Sequence, residues 1–462
     1  MRTKKKIFPM RTTMLLLLMV LTSLSAWAQN IVASGNCGDT GINGGADVTW
    51  TLTGTSPNYT LTISGTGPMM YYGSALGGDD QYHSTAPWST YESEIEKVVV
   101  GSGVTYIGSY AFAYCSALTS ISLPSSVTVL GNYVCYGSSN GSTNLRIDIP
   151  TAVAVTIGND GFEYCQADLQ IAVPAHLLKT YKEATNWSKY AAKMVGVLDD
   201  AHDFNTGGNA PKGSYEYTRT FKEGVAATLC LPFEVSSDQI SLYGQVYTFA
   251  GVDKSGELWE VVMQEANKTS SALTAYRPYL FLPYIFNSKG KDLPITFHGN
   301  VASLAIAGNV IQEEDHNIGS FWTFQGVTYY YAWNEGHANL GKIYGFAAQN
   351  YSTTVNPGDF VKAAAGANIA PFRAFLQFTS GVSSAPRRGA ADQEALPSRM
   401  SVRLVDADGT VTAIGNLSID NGQWKMDNWM EGEWYTLDGR RLNSAPSTRG
   451  IYMKNGKKVI VK

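Results

Sequence analysis

The chain has 462 residues, about three times the ~150-residue prior for one domain, so several domains are expected. Only 16% of the residues are charged and 44% are hydrophobic, with 46 Gly and 27 Tyr, which favours β-rich architecture over helical bundles. A net charge of −4 gives no basic footprint for a phosphate backbone, so nucleic acid and basic membrane-surface partners are disfavoured.

At the N-terminus, Arg2, Lys4, Lys5, Lys6 and Arg11 precede an apolar run from Met14 to Leu21 and the small-residue site Ala26-Trp27-Ala28. This pattern reads as a secretory signal peptide over residues 1–28 with cleavage after Ala28. The run is too short to span a bilayer and no later stretch reaches the length that a transmembrane helix needs. Export removes five basic residues and no acidic ones, taking the net charge from −4 to −9. Five cysteines follow (Cys37, Cys115, Cys135, Cys165 and Cys230), too sparse for a disulfide scaffold. They are read as mostly buried thiols, and the lack of a C-x-x-C pair leaves no thiol-redox or zinc-finger motif.

Residues 29–94 read as a β-rich N-terminal cap. The stretch 95–197 carries an internal repeat. Ile107-Gly108, Ala111-Phe112, Cys115, Leu118 and Ile121-Ser122-Leu123-Pro124 return fifty positions later as Ile157-Gly158, Gly161-Phe162, Cys165 and Ile171-Ala172-Val173-Pro174. A middle copy reads Leu130-Gly131, Val134-Cys135 and Ile147-Asp148-Ile149-Pro150. A period of 23 to 26 residues with one apolar-x-apolar strand per period is the mark of a leucine-rich-repeat solenoid, in which each coil completes the core of the next. The period-2 rule of strands then turns Lys97, Val99, Ser120, Ser122, Arg146, Asp148, Gln170 and Ala172 outward, as a face for a partner. Cys135 in the Phe place and Ser138 in the Cys place predict an irregular middle turn. Leu177, Leu178, Tyr181, Ala184, Trp187 and Ala191 recur at three- and four-residue spacing and predict an amphipathic helix that caps the last coil.

The pattern I-G-x-x-A-F-x-x-C-x-x-L-x-x-I-x-L-P resembles the BspA-like leucine-rich repeats of bacterial surface proteins. The lead-in (Cys37-Gly38, Leu61-Thr-Ile-Ser-Gly65, Ala86-Pro87-Trp88) and the closing segment from Val173 to Tyr190 are similar to that family too, so the resemblance covers residues 35–195. It implies a non-enzymatic surface or secreted protein that adheres to host or bacterial surface components.

Residues 198–214 read as a linker. From 215 to 380, short apolar and aromatic runs separated by Gly, Asn and Asp predict an all-β, sandwich-like domain. Residues 381–400 read as a second linker, and 401–462 as a small C-terminal β module. In that module Asn455-Gly456 can turn a two-residue hairpin, with a companion hairpin from Trp434 to Leu442. The tail resembles type IX secretion sorting domains, which implies delivery to the outer membrane surface or the exterior.

No motif carries catalytic chemistry. Gly137-Ser-Ser-Asn-Gly141 matches G-x-S-x-G but lacks the strand and helix that would make a nucleophile elbow, and it is read as a loop. The six histidines lack metal-ligand spacing. Glu313-Glu314-Asp315-His316 reads as a solvated turn, and Asp406-Ala-Asp408-Gly409 as a β-turn without the remaining ligands of a calcium loop. No cofactor, metal or catalytic residue is therefore expected. The partner expected is a protein or a glycan on a host or bacterial surface. The alternative is an exported carbohydrate-binding or carbohydrate-active protein that uses the aromatic runs Tyr329–Trp333 and Tyr279–Tyr284 of the 215–380 domain; packing of those runs into the β-core is favoured over that use.

Overall fold

The structure is a computed structural model. It describes residues 30–76, 82–138, 144–165, 168–204, 211–255, 258–266, 273–301, 321–347, 357–379 and 396–407, together with the strand residues 411–413, 418–420, 423–425, 434–435, 441–442, 450–454 and 457–461. The predicted signal peptide, Ser139 of the G-x-S-x-G match and the Glu313–His316 cluster lie outside the described residues. The chain divides into two compact units, residues 1–195 and 196–462.

In the first unit, Ile31–Asn36, Val48–Thr55 and Asn58–Gly65 form an antiparallel meander. Its last strand pairs in parallel with Ile95–Val100. Ser120–Ser122, Arg146–Asp148 and Gln170–Pro174 then add in turn, all parallel and in unbroken register. The alternation of branched and polar residues in these strands buries one face, as the period of two requires. Val98, Ile121, Ile147 and Ile171 all lie inside.

A second parallel ladder, Gly67–Pro68, Val104–Ile107, Val129–Leu130 and Thr156–Ile157, runs through the same coils, so each period holds two strands where one was expected. Between the ladders stand Phe112 and Phe162, with Cys115, Leu118 and Leu169, all buried. The Ile-Gly or Leu-Gly step of each coil has a steric cause. A Cβ on Gly131 would lie 2.4 Å from the Ser109 nitrogen, and one on Gly158 would lie 2.7 Å from the Asn132 nitrogen. Only glycine lets successive backbones approach that closely.

The middle turn is regular, contrary to the expectation. Phe112 N donates to Val134 O and Cys135 N to Gly161 O, both at 2.8 Å. Ser138, in the cysteine place, is fully buried and donates its hydroxyl to the Phe112 carbonyl at 2.5 Å. That bond satisfies the polar group that the substitution brings into the core.

The closing segment is not one amphipathic helix. A six-residue α-helix, Leu178–Glu183, is flanked by 3₁₀ turns at Ala175–Leu177 and Ser188–Lys193, and Ala184 has extended backbone (ψ 149°). The break lets polar groups reach the last coil. Trp187 Nε1 donates to Val155 O at 2.7 Å, and Val155 N donates to the Tyr181 hydroxyl at 2.9 Å. The boundary between the units falls in the strand Met194–Leu198.

In the second unit, Gly213–Lys222 and Asp292–Val301 form a long antiparallel ribbon. Nine further strands make one sheet path: Ala227–Leu229, Tyr279–Pro283, Gly244–Ser255, Leu258–Glu265, Arg399–Val405, Phe360–Lys362, Ile343–Phe346, Arg373–Thr379 and Phe321–Val327. Near its ends Ala374 N donates to Thr228 Oγ1 at 3.1 Å and Cys230 N to Phe372 O at 3.2 Å, so the sheet nearly closes on itself rather than splitting into the two layers of a sandwich. Trp322, Phe324, Tyr344, Leu376, Met263 and Val402 fill its interior.

Two segments differ from the sequence reading, and the tail agrees with it. Residues 199–204 of the expected 198–214 linker are tied down, with Asp200 paired to Arg373 at 2.5 Å and Phe204 buried. Residues 399–405, placed by sequence across the second linker and the C-terminal module, form a strand paired in parallel with Leu258–Glu265. Buried Met400, Val402 and Leu404 supply the apolar alternation that holds it there. In the tail, Gly450–Lys454 pairs with Lys457–Val461 across the two-residue connection expected at Asn455-Gly456, and Trp434–Tyr435 pairs with Arg441–Leu442.

Candidate interaction surface

The parallel ladder of the first unit arranges the predicted outward residues in two rows. Lys97, Ser120, Arg146 and Gln170 are register partners, and so are Val99, Ser122, Asp148 and Ala172. Lys97, Val99, Ser122 and Gln170 are exposed, while Ser120, Arg146 and Asp148 are half-buried.

Ala172 is the exception. It is 2% exposed, and its strand neighbours Ile171 and Val173 are buried too, so here the last strand buries both of its faces. It therefore leaves the face, which is built from seven of the eight residues expected there.

Charge on the face is confined to Lys97, Arg146 and Asp148. Arg146 Nε donates to Asp148 Oδ1 at 2.8 Å along its own strand, and Lys97 lies 3.3 Å from Glu96. Both pairs are partly solvated, where such contacts contribute about 0–1 kcal/mol. The Arg146–Asp148 pair fixes the direction of both side chains more than it stabilises the coil. What remains is one serine hydroxyl in each row, Ser120 between Lys97 and Arg146 and Ser122 between Val99 and Asp148, able to hydrogen-bond with a polar partner.

The sequence reading missed how far the rows extend. Thr60 is the register partner of Lys97, and Thr62 of Val99. Thr51 lies across from Thr62, and Ser34 across from Thr51. The lead-in strands thus continue the same face beyond the repeats. The signal was present in the alternation Thr60-Leu-Thr-Ile-Ser64, but pairing of a non-repeat strand with the first coil is a tertiary fact.

The aromatic runs of the second unit pack mostly inward. Tyr279, Leu280, Phe281 and Trp333 are buried. The Trp333 ring meets Phe375 at 4.9 Å. Tyr284 and Tyr330 are the exposed members. Among the described residues no group of three or more His, Cys, Asp or Glu could hold a metal ion.

Buried polar groups of the second unit form structural networks. Arg373 donates to the Tyr217 hydroxyl at 2.6 Å and to Asp200, and Tyr217 in turn donates to Asp200 at 2.6 Å. Burial, reinforced by the neighbouring Arg373, pulls the Arg219 guanidinium down to about 10. Glu223 is enclosed and accepts the backbone N–H groups of Phe286, Asn287 and Ser288 and the side-chain amide of Asn287. Burial opposes its ionisation, yet these four donors outweigh that and hold the carboxyl below its ordinary range. All are hydrogen-bonded within one loop, which is the arrangement of a loop staple rather than of a reacting acid.

Residues 87–188 match the family model described as BspA type Leucine rich repeat region, in six copies. A crystal structure of a leucine-rich repeat protein from Eubacterium ventriosum ATCC 27560 is similar at 24% identity, over 33% of this chain and 45% of that one, with a TM-score of 0.20. This chain thus spans under half the length of that protein. No curated protein matches. No helix among the described residues is long and apolar enough to cross a membrane.

Proposed function

We propose that the protein is an exported, non-enzymatic interaction protein of a bacterial surface, and that it adheres to a protein or glycan of host or bacterial surfaces through the outward face of its parallel sheet. The observation that carries this reading is the in-register pair of rows from Lys97 to Gln170 and from Val99 to Asp148. They form a continuous, partly solvated and mostly polar surface on the coils. The BspA-type repeat match supports a surface or protein-binding role. The basic and apolar segments of residues 1–28 support export, and the C-terminal hairpins leave room for a sorting role of the tail.

The face is small, so affinity depends on a few central side chains or on multivalent display. Carbohydrate recognition by the second unit has less support, since Tyr279, Phe281 and Trp333 are spent on the core.

The test is adhesion of cells displaying the chain, compared with cells displaying the triple variant Arg146→Ala, Asp148→Ala, Gln170→Ala. Weaker attachment at equal surface abundance and an unchanged thermal melt are expected. Unchanged adhesion removes this face as the site.

A further inference from the structure

A filled row of tyrosine rings runs along the turns of the coils. Tyr136 of the second coil meets Tyr114 of the coil before it at 5.9 Å and Tyr164 of the coil after it at 5.1 Å, with ring planes 75° and 71° apart. Tyr133 meets Tyr136 at 5.6 Å and stacks on Tyr110 at 4.9 Å. The row therefore crosses three coils that no disulfide ties together: all five cysteines are free, although Cys165 Sγ reaches the Cys135 carbonyl of the neighbouring coil at 2.9 Å. Tyr114 and Tyr164 also hold positive φ, 63° and 57°. Such backbone is an outlier for a bulky side chain, and where it places reactive rings at a surface it motivates a hypothesis of function.

One pair in the row is set apart. Tyr164 is 74% exposed, so its ring is open to a solution reagent and has room to turn its edge toward the half-buried Tyr136. The other contacts are more constrained. The Tyr114 hydroxyl shares a hydrogen bond with Ser74 Oγ at 3.0 Å. Tyr110 and Tyr133 are both half-buried and overlie each other with planes 27° apart, face to face rather than edge to edge. Elsewhere, Tyr59 and Tyr91 lie 5.9 Å apart and Tyr329 and Tyr331 6.0 Å apart.

We propose that Tyr136 and Tyr164 form a dityrosine site, oxidised by hydrogen peroxide through a haem peroxidase, and that the bond ties the second coil to the third. Each phenol gives up one electron and one proton, and the peroxide takes both pairs and becomes two waters. The two phenoxyl radicals join through a carbon–carbon bond between positions ortho to the hydroxyls. The hydrogens on those carbons then shift to oxygen, which restores both phenols and leaves the pair lighter by two hydrogens. The charges beside the row do not oppose this step. Lys189 spans Asp160 at 2.5 Å and Glu163 at 2.9 Å, and what leaves each phenol is in sum a neutral hydrogen atom. The adjacent Cys165 thiol, pushed up to about 12 by burial, stays protonated and is a slow competitor for the peroxide. In a solenoid each coil contacts chiefly its neighbours, so a bond between adjacent coils closes one of them into a loop and restricts the unfolded chain as a disulfide does.

The experiment treats the full chain, dilute enough to remain monomeric on a denaturing gel, with hydrogen peroxide and a haem peroxidase. Blue dityrosine fluorescence in the monomer band is expected, and peptide mapping should find the Tyr136 and Tyr164 peptides joined and lighter by two hydrogens. Tyr164→Phe and Tyr136→Phe should each abolish that joined peptide, and Tyr91→Phe should leave it in place. Phenylalanine keeps the ring, and an unchanged melt of the untreated variants verifies their fold. After treatment, the first unit of the wild type should melt higher than that of Tyr164→Phe. Four outcomes overturn the proposal: no dityrosine in the monomer, dityrosine only in covalent dimers, a joined peptide that maps to other tyrosines or survives Tyr164→Phe, or equal melting of the treated wild type and the treated variant.

Discussion

Trp187 donates its indole N–H to the carbonyl of Val155 at 2.7 Å, across 32 residues of chain. Trp88 makes the equivalent bond at the other end of the array, to Ala111 O at 2.8 Å. Both indoles are 1% exposed, so each end of the coil stack is closed by a buried ring whose polar edge satisfies a carbonyl that no further coil would pair. Trp187→Ala should cost about 3–5 kcal/mol through the cavity alone. Trp187→Phe should cost less, but still about 1–3 kcal/mol, because it leaves the Val155 carbonyl buried without its donor. Thermal unfolding of the first unit in the full chain, followed by near-ultraviolet circular dichroism, gives the order wild type, Phe, Ala. Equal melting of all three would show that the indole closes nothing.

Glycine at the coil-to-coil contact is a steric requirement. Gly131→Ala would put a methyl 2.4 Å from the Ser109 nitrogen, and no side-chain rotation relieves a clash with backbone. Destabilisation of about 1–3 kcal/mol or more is expected, measured as a lower denaturant midpoint. Gly345→Ala is the control, since an added Cβ there meets nothing within 4 Å; comparable losses in both variants would count against the close-approach account.

The Glu223 staple makes an acid-sensitive contribution. A carboxyl whose folded pKa lies below its unfolded value, about 4.3, stabilises the fold above that unfolded value. The stabilisation is lost as pH falls through the folded one. The difference in melting temperature between the wild type and Glu223→Gln should therefore be full near neutrality and shrink below about pH 4.3. A gap that stays constant with pH would mean that the carboxylate charge contributes nothing.

The thiols should be inert in the native protein. All five are free, and burial pushes Cys37, Cys165 and Cys230 up to about 12, with Cys115 and Cys135 raised as well. Since the thiolate is the reactive species, alkylation of the native chain near pH 8 should be about three orders of magnitude slower than in denaturant. Mass spectrometry after a short iodoacetamide pulse should find no adduct in the folded chain and five in the unfolded one. Rapid native labelling of the half-buried Cys165 would contradict its raised pKa.

How far the sequence reached differs by segment. The repeat period and the inward set of Ile107, Phe112, Cys115, Leu118 and Ile121 were legible, because in a solenoid each coil contacts chiefly its neighbours and the core pattern is local. The outward set was legible for the same reason at every position but Ala172, where both faces of the last strand are buried. In the second unit the run from Tyr279 announced a strand, yet its partners lie at residues 227–229 and 244–247, and period-2 patterning says nothing of partners so distant.

Local alternation and the fixed return of Ile, Gly and Phe were enough to specify the coils, because the contacts that bury them are one period away. Three things waited on the folded chain: the extension of the strand face into Thr60 and Thr62, the recruitment of Arg399–Val405 into the second unit's sheet, and the placing of the Tyr136 ring against both Tyr114 and Tyr164. Each joins residues whose separation follows no short rule. Which strand edge or ring meets which is decided by where the whole backbone comes to rest.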